Sequence, residues 1–419
     1  MSHSDWFRRL ASARAGRGPG RLRASRSVVV TAASAALVVI AGVAILAMGP
    51  GKAAKTTLRT TSVAESAPGQ GKGSASTPAH KPAPALQVVS VTPASGTSGV
   101  DGTSPVRVQF SAPLAAGSPM PSLSPSVAGA WKREGDFAVF TPASGFLGST
   151  NVTVSVPGGT SGARSAAGAS AGAGGLLAAS VSRSFTTAPF STLRLQQLLA
   201  QLGYLPLTWT PGGAAIQPAD TAAQLAAAYN PPSGSFSWQG GYPSQLNSFW
   251  QEGSANLIDT GAVRAFQSDA GLTMDGVAGP AVWSALLKAV AAGQHNTNGY
   301  TYALASKGSP ETLTIWHDGR QVFQNAANTG IPVAPTADGT FPVYERLRNQ
   351  IMQGTNPDGS HYSDPVQYVA YFNGGDAVHY FPRGSYGWPQ SLGCVELPLG
   401  PAAVAWPYLT YGSLVTVTG

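Results

Sequence analysis

The sequence predicts a multidomain chain: a β-sandwich of short strands, a small three-helix module and a mostly-β C-terminal domain, behind one N-terminal apolar span. Three observations predict it. Between 87 and 188, apolar and polar residues alternate in short runs separated by turn residues. Between 190 and 292 the apolar spacing lengthens to that of a helix. From 299 onward the period-two runs return.

Composition narrows the class. A chain of 419 residues has room for two to four domains. It holds 51 glycines and 33 prolines, about a fifth of its length, and only 10% charged residues, against about 25% in an average soluble protein. This excludes a coiled coil, a collagen and a highly charged disordered chain, and argues against a compact α/β enzyme along the whole length. The formal charge of +7 is local: Arg8, Arg9, Arg14, Arg17, Arg21, Arg23 and Arg26 precede the apolar span, and the rest is close to neutral. No basic stripe for nucleic acid remains. One cysteine, Cys394, permits neither an internal disulfide nor a four-cysteine zinc site.

Residues 28–48 carry no charge. As a helix they span ~30 Å, the thickness of a bilayer's hydrocarbon. With the arginines ahead of them, 1–27 read as a cytoplasmic tail and 28–48 as a single-pass membrane anchor, the remainder lying outside the cytoplasm. A cleaved signal peptide is the alternative, but its apolar core runs only ~7–15 residues. Residues 49–86 are Gly, Ser, Thr, Ala, Pro and Lys with little to bury, a flexible linker.

The sandwich, 87–188, shows strands at 86–91, 106–110, 137–140 and 151–156. Its Val-x-Pro-Ala-x-Gly opening, from Val91, resembles bacterial Ig-like spacer domains, and it has no Cys, His or acid cluster. It reads as a spacer, with a binding module as the alternative; 158–175, nearly all Gly, Ala and Ser, reads as a surface insertion.

In the helical module, Leu193, Leu195, Leu198, Leu199 and Leu202 follow helical spacing and Gly203 stops the helix. A second helix runs through Ala262, Val263 and Phe266, and a third begins at Pro280. The blocks Leu-Gln-x-x-Leu, Leu-Gly-Tyr, Ala-Val-x-x-Phe-Gln, Asp-Gly-x-x-Gly-Pro and Trp-x-x-Leu resemble the peptidoglycan-binding module of cell-wall enzymes. The departure is an insertion over 208–258 containing Trp209, Trp238, Tyr242, Phe249 and Trp250. These aromatics either line a glycan or peptide groove or fasten the insertion to the helices.

The C-terminal domain, 299–419, shows strands at 300–304, 313–316, 321–323, 341–344, 367–372, 377–381 and 414–417, with a hairpin turn at Asp318-Gly319 and a short helix from Gly400 to about Tyr408. His379 ends a strand, and Gly384, Gly387 and Pro389 turn the chain back towards Ser391-Leu392-Gly393-Cys394. A thiol nucleophile needs a base to hold it as thiolate, and pairing with His lowers its pKa. Backbone N–H groups around Gly393 and Cys394 are the expected oxyanion donors. A lone Cys is also commonly a small buried hydrophobe, and a lone His a packed one, so the residues alone leave both readings open. His295, His317 and His361 compete as bases, but none lies on the strand leading into this turn.

The same region resembles the L,D-transpeptidase catalytic domain (YkuD-like). The His379, the gap of about fifteen residues and the Ser-x-Gly-Cys turn carry the resemblance. Thr329-Gly330 and Thr336-Ala337-Asp338-Gly339-Thr340-Phe341 match its upstream stretch loosely. The resemblance implies Cys394 as nucleophile, His379 as general base and acid, Ser391 and Gly393 shaping the turn, and Tyr380 and Glu396 near the substrate. In that family a backbone carbonyl beside the His is commonly the third member of the triad. It implies cross-linking of peptidoglycan tetrapeptide stems through a thioester, without metal or organic cofactor. Peptidoglycan and, through the anchor, the membrane are the expected partners. Leu392 stands where that family has His, and Glu396 where it has Arg or Asn. These departures keep two other readings in play: a carboxypeptidase that releases D-Ala to water, and an inactive wall-binding scaffold.

Overall fold

Alternation dictates the N-terminal sandwich. In β2 (Val106–Phe110), Val106, Val108 and Phe110 are buried while Arg107 is exposed; in β6 (Asn151–Val156), Val152, Val154 and Val156 are buried. Two faces of this kind can only be satisfied by packing on each other. The structure, a computed structural model, describes residues 84–168 and 175–419. The expected tail, membrane span, nearly all of the linker and 169–174 of the surface insertion lie outside the described residues. Among the described residues no helix is long and apolar enough to cross a membrane.

The first sheet orders β1 (Val88–Thr92), β2, β5 (Phe137–Pro142) and β4 (Gly129–Glu134); the second orders β3 (Ser122–Ser124), β6 and β7 (Val181–Thr186). Phe140, Phe146 and Phe185 bridge them in one core. Strands β3, β4 and β7 add to the four expected. β4 is exposed along almost its whole length, so no alternation betrays it.

The helical module follows. α1 (Thr192–Gln201) packs against α4 (Leu257–Asp269) and α5 (Pro280–Ala291). Pro280 opens α5, and the Asn256 side chain caps α4 by accepting from Asp259 N at 3.0 Å. The insertion folds into β8 (Leu207–Pro211) and β9 (Gly234–Trp238), paired antiparallel, with α2 (Thr221–Tyr229) and α3 (Ser244–Asn247). Trp209, Trp238, Tyr242, Phe249 and Trp250 pack against the helical core, with Phe236 against Trp250 at 5.1 Å and Tyr242 against Tyr300 at 5.9 Å. They fasten the insertion to the helices.

The C-terminal domain has two sheets. One orders β12 (Arg320–Ala326), β11 (Thr312–His317), β10 (Thr301–Ser306), β18 (Leu414–Thr418) and β13 (Gly339–Pro342). The other orders β14 (Glu345–Thr355), β15 (His361–Asn373), β16 (Asp376–Tyr380) and β17 (Val395–Leu397). α6 (Leu399–Ala405) contributes Ala402 and Ala405 to the core between them. The long β14–β15 hairpin was not expected as such.

Helical module and C-terminal domain share one core. Tyr300, Tyr302 and Leu414 belong to the same buried cluster as Leu198, Phe266 and Trp283. The close approach is built on a glycine pair: a Cβ on Gly261 of α4 would lie 2.5 Å from the carbonyl oxygen of Gly412.

Candidate active site

β16 and β17 run parallel, with Val378 opposite Val395 and His379 opposite Glu396. This register lays the turn that ends at Cys394 beside the strand that carries His379. Cys394 packs against a small cluster with Val369, Ala377, Tyr371 and Phe381.

The turn is locked by its own side chains. Ser391 Oγ donates to the Cys394 carbonyl at 2.6 Å, and Gly393 N–H donates to Ser391 Oγ at 3.2 Å. Ser391 N–H reaches the Thr329 carbonyl at 3.0 Å, and Ile331 N–H the Ser391 carbonyl at 2.9 Å. The Glu311 carboxylate in turn accepts from Thr329 N–H at 2.6 Å and Thr329 Oγ1 at 2.7 Å, both buried. Thr336 Oγ1 accepts from Gly330 N–H at 2.8 Å. The loosely matched Thr-Gly and Thr-x-x-Gly stretches thus form the back wall of the nucleophile turn. Glu311 carries the same wall and had no signal in its own neighbourhood of the sequence.

Gly393 adopts φ +120°, and a Cβ there would meet Asp376 Oδ1 at 2.6 Å. Its N–H is engaged with Ser391 Oγ. The Cys394 N–H has no acceptor among the described hydrogen bonds.

His379 is buried. Its Nδ1 lies 2.9 Å from the Tyr380 carbonyl. A carbonyl only accepts, so Nδ1 carries the proton and Nε2 of the neutral ring keeps its lone pair. Burial lowers the His379 pKa; the Tyr380 carbonyl, Glu396 and Asp364 push it up and Arg383 down. Burial also pushes the Cys394 thiol up, to about 12, with the Glu396 and Asp376 carboxylates adding to this and the Ala377 N–H opposing it. The thiol donates to the Gly375 carbonyl at 3.7 Å, and no Cys394–His379 hydrogen bond occurs among those described. With the thiol pushed up and the imidazole pushed down, the resting pair is read as neutral thiol and neutral imidazole. Burial and the two carboxylates thus oppose the lowering that pairing with His379 was expected to bring.

Of the two residues expected near the substrate, Tyr380 is half-buried and Glu396 is turned inward. The Tyr380 side chain packs on the core and acts at the site through its backbone carbonyl. Glu396 is buried, with both oxygens on Arg383. Two of the competing histidines are engaged elsewhere: His317 bonds Thr301 and packs tilted against Tyr408, and His361 bonds Thr355. Tyr344, Tyr362 and Tyr371 lie within electrostatic reach of the thiol; none had been singled out, because their approach depends on the β14–β15 hairpin. Among the described residues, no group of three or more His, Cys, Asp or Glu is arranged to hold a metal ion.

A second concavity, of about 450 Å³, lies between Ser149 of the sandwich and the first turns of α1, α4 and α5. Phe190, Val263 and Trp283 form its apolar lining, and Val277 stands exposed among its lining residues.

Three family models match parts of the chain. Residues 82–187 match the bacterial Ig-like domain, 260–286 the peptidoglycan binding domain and 300–417 the L,D-transpeptidase catalytic domain. No curated protein is matched. Among solved structures, an L,D-transpeptidase from Mycobacterium smegmatis is 16% identical over 80% of this chain and 99% of its own, with a TM-score of 0.27. L,D-transpeptidase 3 from Mycobacterium tuberculosis is 15% identical over 79% and 98%, also with a TM-score of 0.27. The catalytic domain of the E. faecium L,D-transpeptidase is 24% identical over 29% of this chain and all of its own, again with a TM-score of 0.27. The chain carries an L,D-transpeptidase catalytic domain of the YkuD type, preceded by an Ig-like domain and a peptidoglycan-binding module.

Proposed function

We propose that the protein cross-links peptidoglycan by acyl transfer through Cys394. The observation that carries this reading is the oriented imidazole: the Tyr380 carbonyl fixes the His379 proton on Nδ1 and leaves Nε2 as base, on the strand beside the nucleophile turn. Cys394 Sγ attacks the carbonyl of the third residue of a tetrapeptide stem while its proton passes to Nε2. Charge appears only as the reaction proceeds: the Tyr380 carbonyl steadies the imidazolium, and the Cys394 N–H faces the developing oxyanion. The terminal D-Ala leaves as an amine, taking its proton from Nε2, and a thioester remains. The side-chain amine of a second stem attacks the thioester, gives its proton to Nε2, and the thiolate leaves and is reprotonated.

Wall engagement belongs to the helical module, whose cleft beside α4 and α5 is the proposed contact with the polymer. Residues 28–48 are proposed as a single-pass anchor, with the catalytic part facing the wall. Incubating the protein with a disaccharide-tetrapeptide and weighing the products tests the reading. A cross-linked dimer supports it, a tripeptide indicates a carboxypeptidase, and unchanged substrate indicates a wall-binding scaffold. The scaffold reading draws on one observation, the thiol hydrogen directed at Gly375.

A further inference from the structure

Resting on the reading of His379 as the base for Cys394, we propose that Arg383 and Glu396 act together as positioning residues for that base. Glu396 stands opposite His379 in the β16–β17 register and is 4% exposed. Arg383 Nε donates to its Oε2 and Arg383 Nη2 to its Oε1, each at 2.7 Å. The same Nη2 donates to the Gln390 carbonyl at 2.9 Å. The guanidinium lies over the Phe381 ring, 4.6 Å from its centroid. Phe381 meets the His379 ring edge-on, centroids 6.3 Å apart. Contacts therefore run from the imidazole through Phe381 to Arg383 and on to Glu396, which stands opposite His379 in the register.

A buried ion pair is weak evidence of stabilisation, because removing two charges from water costs about as much as their attraction returns. Its geometry here suits another role. The planar fork holds the chain between β16 and the Ser391–Cys394 turn at both ends, so one pair of side chains ties the base to the nucleophile turn. Electrically the two charges oppose each other at the ring: the carboxylate favours the imidazolium and the guanidinium disfavours it. Asp364 of β15 adds to the carboxylate's side, and the Tyr380 carbonyl does likewise. The paired charges thus leave a neutral ring at rest and put a carboxylate near the imidazolium that forms during acyl transfer.

The test uses the full chain, with His379 titrated by ring NMR and turnover followed on the disaccharide-tetrapeptide. Glu396→Gln leaves the guanidinium uncompensated. His379 should titrate at lower pH than in wild type, and kcat should fall about tenfold with KM within about twofold. Arg383→Met should move the titration to higher pH. The double variant removes both charges without leaving either buried alone, so it should fold where a single variant fails, and its titration should return towards wild type. Arg383→Lys keeps the charge but not the fork; it should hold the titration and still lose kcat. Identical His379 titrations in wild type and the single variants, with only thermal stability reduced, would show a purely structural pair and overturn the proposal. If the single variants do not fold, full kcat in both the double and Arg383→Lys variants overturns it. Absence of product from the wild type would instead count against the Cys394–His379 reading, leaving the titration to decide the pair.

Discussion

The Nδ1 of His379 sits 2.9 Å from the carbonyl oxygen of Tyr380, so the imidazole is oriented before any substrate arrives; in the proposed reading it is the base for Cys394. The sign of an ordinary reactivity test follows. With the Cys394 pKa pushed up to about 12, against about 8.5 for a free cysteine, iodoacetamide at pH 7 should label the folded protein at least about tenfold more slowly than a cysteine peptide. Labelling should rise with pH beyond the range in which the peptide saturates. His379→Ala should remove acylation by the tetrapeptide stem by about 10²–10⁴-fold. Labelling at pH 7 faster than the peptide would contradict the neutral pair.

Gly393→Ala tests the nucleophile turn. Its φ of +120° disfavours any side chain, and the added methyl meets Asp376 Oδ1. We expect a loss of about 1–3 kcal/mol in denaturant unfolding, with product formation reduced further. Adding Asp376→Ala should relieve the collision but not the backbone strain, recovering only part of the stability. Full recovery would remove the strain argument.

Asp259, at the start of α4, gives a pH signature far from the active site. Its Oδ2 accepts from Gln196 at 2.9 Å while Oδ1 is buried without a partner, and burial pushes the carboxyl up to about 7. The folded state therefore binds a proton that the unfolded chain, titrating near ~3.9, has released. Stability from this group is present below about pH 4 and is lost as pH rises through about 7, at most about 4 kcal/mol in all. Asp259→Asn should flatten the melting temperature between pH 5 and 8 and raise it relative to wild type at pH 8. Parallel curves for the two proteins would refute the assignment.

Val277→Arg tests the cleft of the helical module. Val277 is exposed at its edge, so a long cation there fills the opening without entering the core. Retention on purified sacculi should fall about tenfold, about 1.4 kcal/mol, while turnover of soluble stems is unchanged. Undiminished retention would move wall binding to another surface.

What the sequence disclosed depended on where each signal resides. The Cys394 and His379 pair was visible because the residue types are rare in this chain and the spacing is short. β2 and β6 were visible because one face of each is buried. β4 and β14 were hidden because both faces of each carry polar, largely exposed residues. Glu311, Asp376 and Arg383 were hidden because their partners are brought by the fold. Glu311 reaches Thr329 from 18 residues away, and Arg383 reaches Glu396 from 13. What acts on the thiol was hidden for the same reason. The His was legible, whereas burial and the carboxylates of Asp376 and Glu396 exist only after folding. The insertion's aromatics have the same composition whether they line a groove or fill a core.

The core shared by Tyr300, Tyr302, Leu414 and the module's helices makes grip and chemistry two ends of one calliper. Stripping away 190–292 would bare those three side chains at about 1.5–3 kcal/mol each, a large share of a typical domain's 5–15 kcal/mol. The helices are therefore not a detachable handle. On the proposed reading of wall binding, the bearing and distance from the gripped polymer to the thiol are fixed by Gly261 pressed against Gly412 rather than by a swinging tether. Such an instrument would select stems by where they project as much as by what they are.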